Sequence, residues 1–242
     1  MLLRSWISSP IFFVYYMLST LLFGAIGPLS IVLLPERYRQ PLLNVHNRGL
    51  LCMFCWLCGV KVEIIGREHI PKNRPVVLVA NHQSEWETYM LQILIAPVTT
   101  VLKKELLSIP FFGWGLRMVN PIAIDRSKRT NALKQIMSQG KERLENGTSV
   151  LIFPEGTRTK PTEEKEFNKG AAMLATSAKA PILPVVHNAG YAWPSKSFFK
   201  FPGSIRLVIG PVIESEGKKT SELHNEMEQW MRAEMAKLPN GK

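Results

Sequence analysis

The sequence is short of cysteine, of histidine and of acid. Only three cysteines occur in 242 residues, bunched at Cys52, Cys55 and Cys58. So few thiols exclude a disulfide framework and fit a reducing compartment. C-x2-C-x2-C spacing can open an iron–sulfur site, but no fourth cysteine exists and Met53, Phe54, Trp56 and Leu57 fill the gaps. The three read instead as small apolar residues on a buried or lipid-facing helix. The five histidines form no pair at metal-ligand spacing, so no metal site is expected. Asp and Glu number 19 against 30 Lys and Arg, leaving a net charge of +11. That balance calls for an anionic partner: nucleic acid, acidic lipid headgroups or a phosphorylated substrate. No zinc finger, helix-turn-helix or RNA-binding signature is present, which removes nucleic acid from the expected partners. Internal repeats and low-complexity linkers are also lacking, and the length suits one domain, or one domain plus an appendage.

What the chain does have is apolar residues, 46% of it, weighted toward the first sixty positions. Residues 11–34 run for 24 positions without a charge, and about 20 suffice to span a bilayer. Gly27-Pro28 interrupts the run and is expected to kink or break a helix. A signal peptide fits poorly, because the run is too long and no small-x-small site closes it. The stretch Gly49 to Val60 has 12 residues, too few to span, and reads as interfacial or packed against the first. Arg37, Arg39, His46 and Arg48 lie between the two, while Arg4 stands alone before them. If the first run spans, the positive-inside rule puts the rest of the chain in the cytoplasm. A one-leaflet anchor is equally compatible, and a buried helical hairpin is a third reading. Residues 1–60 are thus expected to form a hydrophobic membrane anchor and residues 61–242 a separate α/β domain.

From residue 61 the texture changes. β-branched or apolar runs bounded by Pro, Gly or polar turns predict strands at 61–65, 76–80, 98–102, 121–124, 149–153, 182–186 and 205–209. Helices are predicted at 84–95, 130–145, 168–179 and 220–237. The last carries Leu223, Met227, Trp230 and Met231 on one side, suited to covering a sheet or lying on a bilayer.

Two strand-then-turn units stand out. Pro75–Ala80 leads into Asn81-His82-Gln83-Ser84-Glu85-Trp86-Glu87, and Ser149–Ile152 leads into Phe153-Pro154-Glu155-Gly156-Thr157-Arg158. Ligand chemistry in α/β folds gathers at the carboxyl ends of strands. His82 is a candidate base, Glu87 its orienter and Arg158 an anion clamp. No other histidine has an acid five positions on. Five residues on a regular helix separate side chains by about 140°. His82 is therefore expected in the strand-to-helix turn, with Glu87 one turn into the helix and bending back. Glu85 is placed on the surface of the same turn.

A His-x4-acid pair alone is weak, but the hexapeptide is highly specific. Together, in this order, the blocks resemble the glycerolipid acyltransferase family, whose first block is Asn-His-x4-Asp and whose third is Phe-Pro-Glu-Gly-Thr-Arg. Pro121-Ile122-Ala123-Ile124-Asp125-Arg126 resembles the second block, although Asn120-Pro121 stands where a Gly-x pair is commoner. Ile182-Leu183-Pro184-Val185-Val186 resembles the fourth, an apolar strand near the acyl chain. The resemblance covers residues 76 to about 190.

It implies an α/β fold, a mixed sheet flanked by helices as in glycerol-3-phosphate acyltransferases, preceded by the hydrophobic helical anchor. It implies transfer of a fatty acyl group from an acyl-CoA or acyl carrier protein thioester to the sn-2 hydroxyl of 1-acylglycerol-3-phosphate, giving phosphatidate. The thioester is a co-substrate and no further cofactor is implied. The partners implied are lysophosphatidic acid, the acyl donor and the bilayer, at the cytoplasmic face of a bacterial inner membrane. His82 would be the general base held by Glu87, where the family's usual acid is Asp. Lys103, Arg126, Glu155, Gly156, Thr157 and Arg158 would hold the acceptor. Lys103 and Arg126 read equally as solvated surface charges, and Glu155 either shapes the acceptor site or holds Arg158 by an ion pair. Direct attack by the acceptor hydroxyl is expected, because Ser84 lacks a nucleophile-elbow motif. Phe111–Leu116 either dips into the membrane interface or belongs to the core. Two alternatives stay open: a different acceptor such as a lyso-amino-acid lipid, and a non-catalytic basic membrane scaffold.

Overall fold

The computed structural model describes residues 2–125 and 129–240. Two long helices come first, α1 at Leu2–Leu33 and α2 at Glu36–Cys58. α1 runs as one helix through Gly27-Pro28, so of the kink or break expected there the break does not occur. Tertiary packing supplies the reason. A short helix, α4 at Phe112–Leu116, lies against this part of α1. A Cβ added at Gly24 or Gly27 would meet the carbonyl oxygens of Phe111 and Trp114 at 2.3 and 2.8 Å. The glycines therefore form a seat into which another backbone fits, and the contact outweighs the helix-breaking tendency. In the 111–116 stretch, Gly113 and Gly115 are buried and Trp114 is exposed.

α2 absorbs both the basic stretch and the second apolar run. Leu50, Leu51, Phe54 and Cys58 are buried in a core shared with the sheet, and Gly59, with φ 70°, closes the helix in the left-handed region. Amides stitch the same helix to its neighbours. Gln40 donates to Val98 O and accepts from Val98 N, at 3.1 and 3.0 Å. Asn44 donates to Gln92 O at 2.9 Å. One side of the second apolar run is thus packed into the core, while Cys52 and Trp56 on it stay exposed.

Seven strands form one sheet: β1 Val60–Ile65, β2 Val77–Ala80, β3 Val98–Lys103, β4 Ile122–Ile124, β5 Ser149–Ile152, β6 Ile182–His187 and β7 Gly203–Ile209. Their order is β1-β7-β6-β2-β5-β3-β4. All pairs are parallel except β6–β7, so the sheet is mixed. Helices α3 Trp86–Leu94, α5 Arg129–Glu145, α6 Gly170–Ala178 and α7 Thr220–Lys237 complete the fold. Strand alternation divides the core in two. Leu78, Ala80, Leu151, Leu183 and Val185 pack with Phe12, Phe54, Trp86 and Leu91 on one face. Val77, Val79, Val150, Ile152 and Val186 pack with Leu174, Leu223, Met227 and Met231 on the other. α7 therefore covers the sheet.

Candidate active site

The site forms where β2 and β5, adjacent and parallel, end side by side. His82 lies two residues past β2, in the turn before α3, as the spacing predicts. Glu87 is the second residue of α3, closer to the turn than one full helical turn. Its side chain is 0% exposed, and its Oε1 lies 2.7 Å from His82 Nδ1. The same oxygen accepts from the backbone amides of Gln83 and Ser84, at 3.0 and 2.9 Å. Burial opposes charge on Glu87, but His187, His82 and the Ser84 amide outweigh it and hold its pKa below the ordinary value. An ionised Glu87 is an acceptor for an N–H at His82 Nδ1.

The hexapeptide contacts the histidine at its ring and at its backbone. The Phe153 ring stacks on the imidazole, with centroids 4.0 Å apart and planes at 14°. Glu155 Oε1 accepts from His82 N at 3.2 Å. Thr159, one position past the hexapeptide, donates from its N–H to His82 O at 2.8 Å and from its hydroxyl at 3.3 Å. Sequence reasoning did not single out Phe153 or Thr159, although both adjoin the residues it named. Gly156, with φ 69°, makes the turn that swings Thr157 and Arg158 outward.

Glu155 is buried, and burial pushes its carboxyl up to about 7 against the His82 amide that favours the charged form. Its Oε2 has no hydrogen-bond partner among the described residues. Arg158 is not held by Glu155. Its Nη1 reaches Glu85 Oε1 at 2.7 Å, across the gap between the two turns. Glu85 is thus not simply a surface residue: its side chain is 23% exposed and crosses to the second block. Lys103 ends β3, the neighbour of β5 on its far side, and pairs loosely with Glu105 at 3.3 Å on the surface. Arg126 lies outside the described residues.

One further histidine was not foreseen. His187 ends β6 and is fully buried behind Glu87. Its Nδ1 accepts from Ala189 N at 3.2 Å and its Nε2 donates to Asn81 O at 2.7 Å. Both nitrogens are engaged as in a neutral ring, and burial lowers its pKa. Asn81 completes a reciprocal link, donating to His187 O and accepting from His187 N, both at 2.9 Å. His187 Nε2 stands 3.9 Å from the other oxygen of Glu87. Nothing in the sequence pattern ties residue 187 to residue 87; the link arises because β6 lies beside β2. Ser84 is buried, and its hydroxyl accepts from Trp86 N at 3.0 Å, a structural task. The arrangement brings together an imidazole paired to a buried carboxylate and, on the adjoining turn, an arginine paired to Glu85.

Comparison with known proteins gives the family. The family described as Acyltransferase matches residues 61–188. A 1-acyl-sn-glycerol-3-phosphate acyltransferase from Pseudomonas aeruginosa is 40% identical over 96% of this chain and 91% of its own length. The α form of that enzyme from Mus musculus is 31% identical over 72% of this chain and 64% of its own length. Among solved structures, the 1-acyl-sn-glycerophosphate acyltransferase PlsC from Thermotoga maritima superposes with a TM-score of 0.81 at 26% identity, covering 97% of this chain and 96% of that one. The chain belongs to the acyltransferase family, and is an enzyme of the transferase class.

Proposed function

We propose that the protein moves a fatty acyl group from an acyl thioester to the sn-2 hydroxyl of 1-acylglycerol-3-phosphate, forming phosphatidate at a membrane surface. The observation that carries this reading is the His82–Glu87 contact of 2.7 Å, in a chain 40% identical to a relative named for that reaction. Nε2 of His82 takes the acceptor's hydroxyl proton as the oxygen attacks the thioester carbonyl. Buried Glu87 stabilises the imidazolium that forms. The tetrahedral adduct then expels the thiolate, and the imidazolium returns the proton to sulfur. No acyl group rests on the protein. The donor is acyl-CoA or acyl carrier protein.

Arg158 faces the acceptor phosphate, assisted by Lys103 and Arg126. Gly156 and Thr157 shape the turn, and Glu155 presents its unpartnered Oε2. The membrane is met by α1. Leu3, Ile7, Val14, Leu18 and Leu22 are all exposed on it, an apolar face too large for water. The basic residues of α2 favour the cytoplasmic side.

The test is acyl transfer by detergent-purified protein with one labelled thioester. Lysophosphatidic acid, glycerol-3-phosphate and a phosphate-free lysolipid are offered in turn, with His82→Ala as control. Turnover of lysophosphatidic acid that the substitution abolishes supports the reading. Turnover of the phosphate-free lipid alone moves the acceptor to a lyso-amino-acid or other lipid. No turnover of any acceptor, with the thioester supplied as acyl-CoA and then as acyl carrier protein, favours the scaffold.

A further inference from the structure

Residue 187 is tied to the residue before His82 by three buried hydrogen bonds. The Asn81 side chain donates to His187 O and accepts from His187 N, both at 2.9 Å. These two use only the backbone of residue 187. The third uses the ring: Nε2 donates to Asn81 O at 2.7 Å. It pins the carbonyl from which the His82 turn departs.

The surroundings hold the ring in one protonation state. Ala189 N can only donate, so Nδ1 accepts from it, at 3.2 Å. Asn81 O can only accept, so Nε2 carries the proton. A second proton, on Nδ1, would face the Ala189 N–H, and complete burial opposes a charged ring. His187 is therefore neutral, with its positive edge at Nε2. That edge lies 3.9 Å from Glu87 Oε2, too far for a hydrogen bond but close enough to act through space in a buried setting. Glu87 Oε1 is well served, by His82 and two amides. Oε2 is buried and has no hydrogen-bond partner among the described residues. An oxygen left so disfavours the ionised carboxyl, and the Nε2–H of His187 stands against that cost.

Other charges face this pair of groups. His82 faces Glu87 from its own turn, and Glu155 from the turn after β5, where its charge opposes that of Glu87. Arg232 of α7 acts on Glu155 in turn. Arg232, Glu163 and Glu164 line a cavity that His187 also borders. Glu85 turns outward to Arg158.

We propose that His187 is a positioning residue for the reaction: its Nε2–H pins the turn that carries His82 and steadies the negative charge of Glu87. The proposal rests on the acyltransferase reading above, and one of its measurements needs no turnover. Two variants divide the tasks of the ring. His187→Gln places an amide N–H where Nε2 stands and keeps the donor to Asn81 O. His187→Asn ends near the position of Nδ1, so it keeps a partner for Ala189 N and loses the donor. His187→Leu, which lacks both, replaces His187→Asn if that variant does not fold. Thermal unfolding in detergent checks each. kcat and KM for lysophosphatidic acid are measured between about pH 5 and pH 9. Burial pushes Glu155 up to about 7, inside that range, so the profiles are repeated with Glu155→Gln. The titration of the His82–Glu87 pair is also followed by NMR of histidine-labelled protein, through the resonance that His82→Ala lacks.

In His187→Asn, kcat is expected to fall by roughly ten- to a hundredfold with KM within about twofold, because a fully buried ring meets neither substrate. Without the positive edge, the His82–Glu87 pair holds its proton more tightly. The acid limb of kcat/KM and the NMR titration therefore both move to higher pH, by about half a unit to one unit. His187→Gln is expected to keep the limb in place and kcat within about threefold. An acid limb that does not move in His187→Asn, whatever its kcat, overturns the proposal and leaves the ring a structural group. A His187→Gln variant as impaired as His187→Asn overturns it too. An NMR titration that moves as expected in a protein without turnover upholds His187 while overturning the acyltransferase reading.

Discussion

Glu87 stands where the resembled family has Asp, and the structure shows how the longer side chain is accommodated. One oxygen gathers His82 Nδ1 and two turn amides, while the other lies toward His187. Glu87→Gln preserves the shape but removes the charge that accepts an N–H at His82 Nδ1. We expect kcat to fall by about 10²- to 10⁴-fold with little change in the unfolding temperature. A fall below tenfold in single-turnover assays would show that the carboxylate does not serve the base. Glu155 makes a second prediction at this scale. Its carboxyl ionises at about 7 in the fold against an ordinary 4.5. Below pH 4.5 both states hold the proton; above it the unfolded chain loses the proton first, so the fold loses stability as pH rises through 7. Glu155→Gln keeps the acceptor for His82 N and removes this penalty. Relative to the unmodified protein, the variant is expected to gain about 2 kcal/mol between pH 5.5 and pH 8.5, read from denaturant unfolding at the two values. An equal stability difference at both pH values would show that Glu155 is ionised freely. The His–acid pair and the hexapeptide were legible at this scale because each lies within one short segment. The partners of Arg158 and the place of His187 were not, because they depend on contacts 73 and about 100 residues distant.

At the scale of elements, apolar and β-branched runs bounded by turn residues located every strand of the sheet to within two residues, since the central strands β2, β5 and β6 are buried on both faces and read as continuous apolar runs. The 112–116 helix was missed because five residues carry no periodic signal. The same helix explains the continuity of α1. A side chain at Gly24 would collide with Phe111 O, so Gly24→Ala must part α1 from α4. A cost of about 1–3 kcal/mol is expected, read as a lower thermal midpoint in detergent. Leu22→Ala, two positions away but exposed, is expected to stay within about 0.5 kcal/mol. Equal midpoints for the two variants would show that the Gly24 seat contributes nothing.

For the whole molecule, the face of α1 turned away from the sheet is apolar and the net charge is +11. The combination suits a surface of anionic lipid. Leu18→Glu with Leu22→Glu places two charges on that face without touching the core, and binding to anionic vesicles is expected to fall on the order of 100-fold. Circular dichroism checks the fold, and sedimentation with vesicles reads the binding; undiminished binding would move the membrane contact elsewhere. By itself, the sequence determined which segments become strands, which become the helices α3, α5, α6 and α7, which turn carries His82, and which arginine follows β5. These are local properties, decided by apolar runs and turn chemistry within a few residues. Tertiary structure decided what those segments meet: α2 joined to the sheet by the buried Gln40 amide, α1 continuous through its Gly-Pro, His187 set behind Glu87, and Arg158 paired with Glu85. Such contacts follow from strand order and helix packing, which set neighbours across the fold and leave no trace in residue spacing.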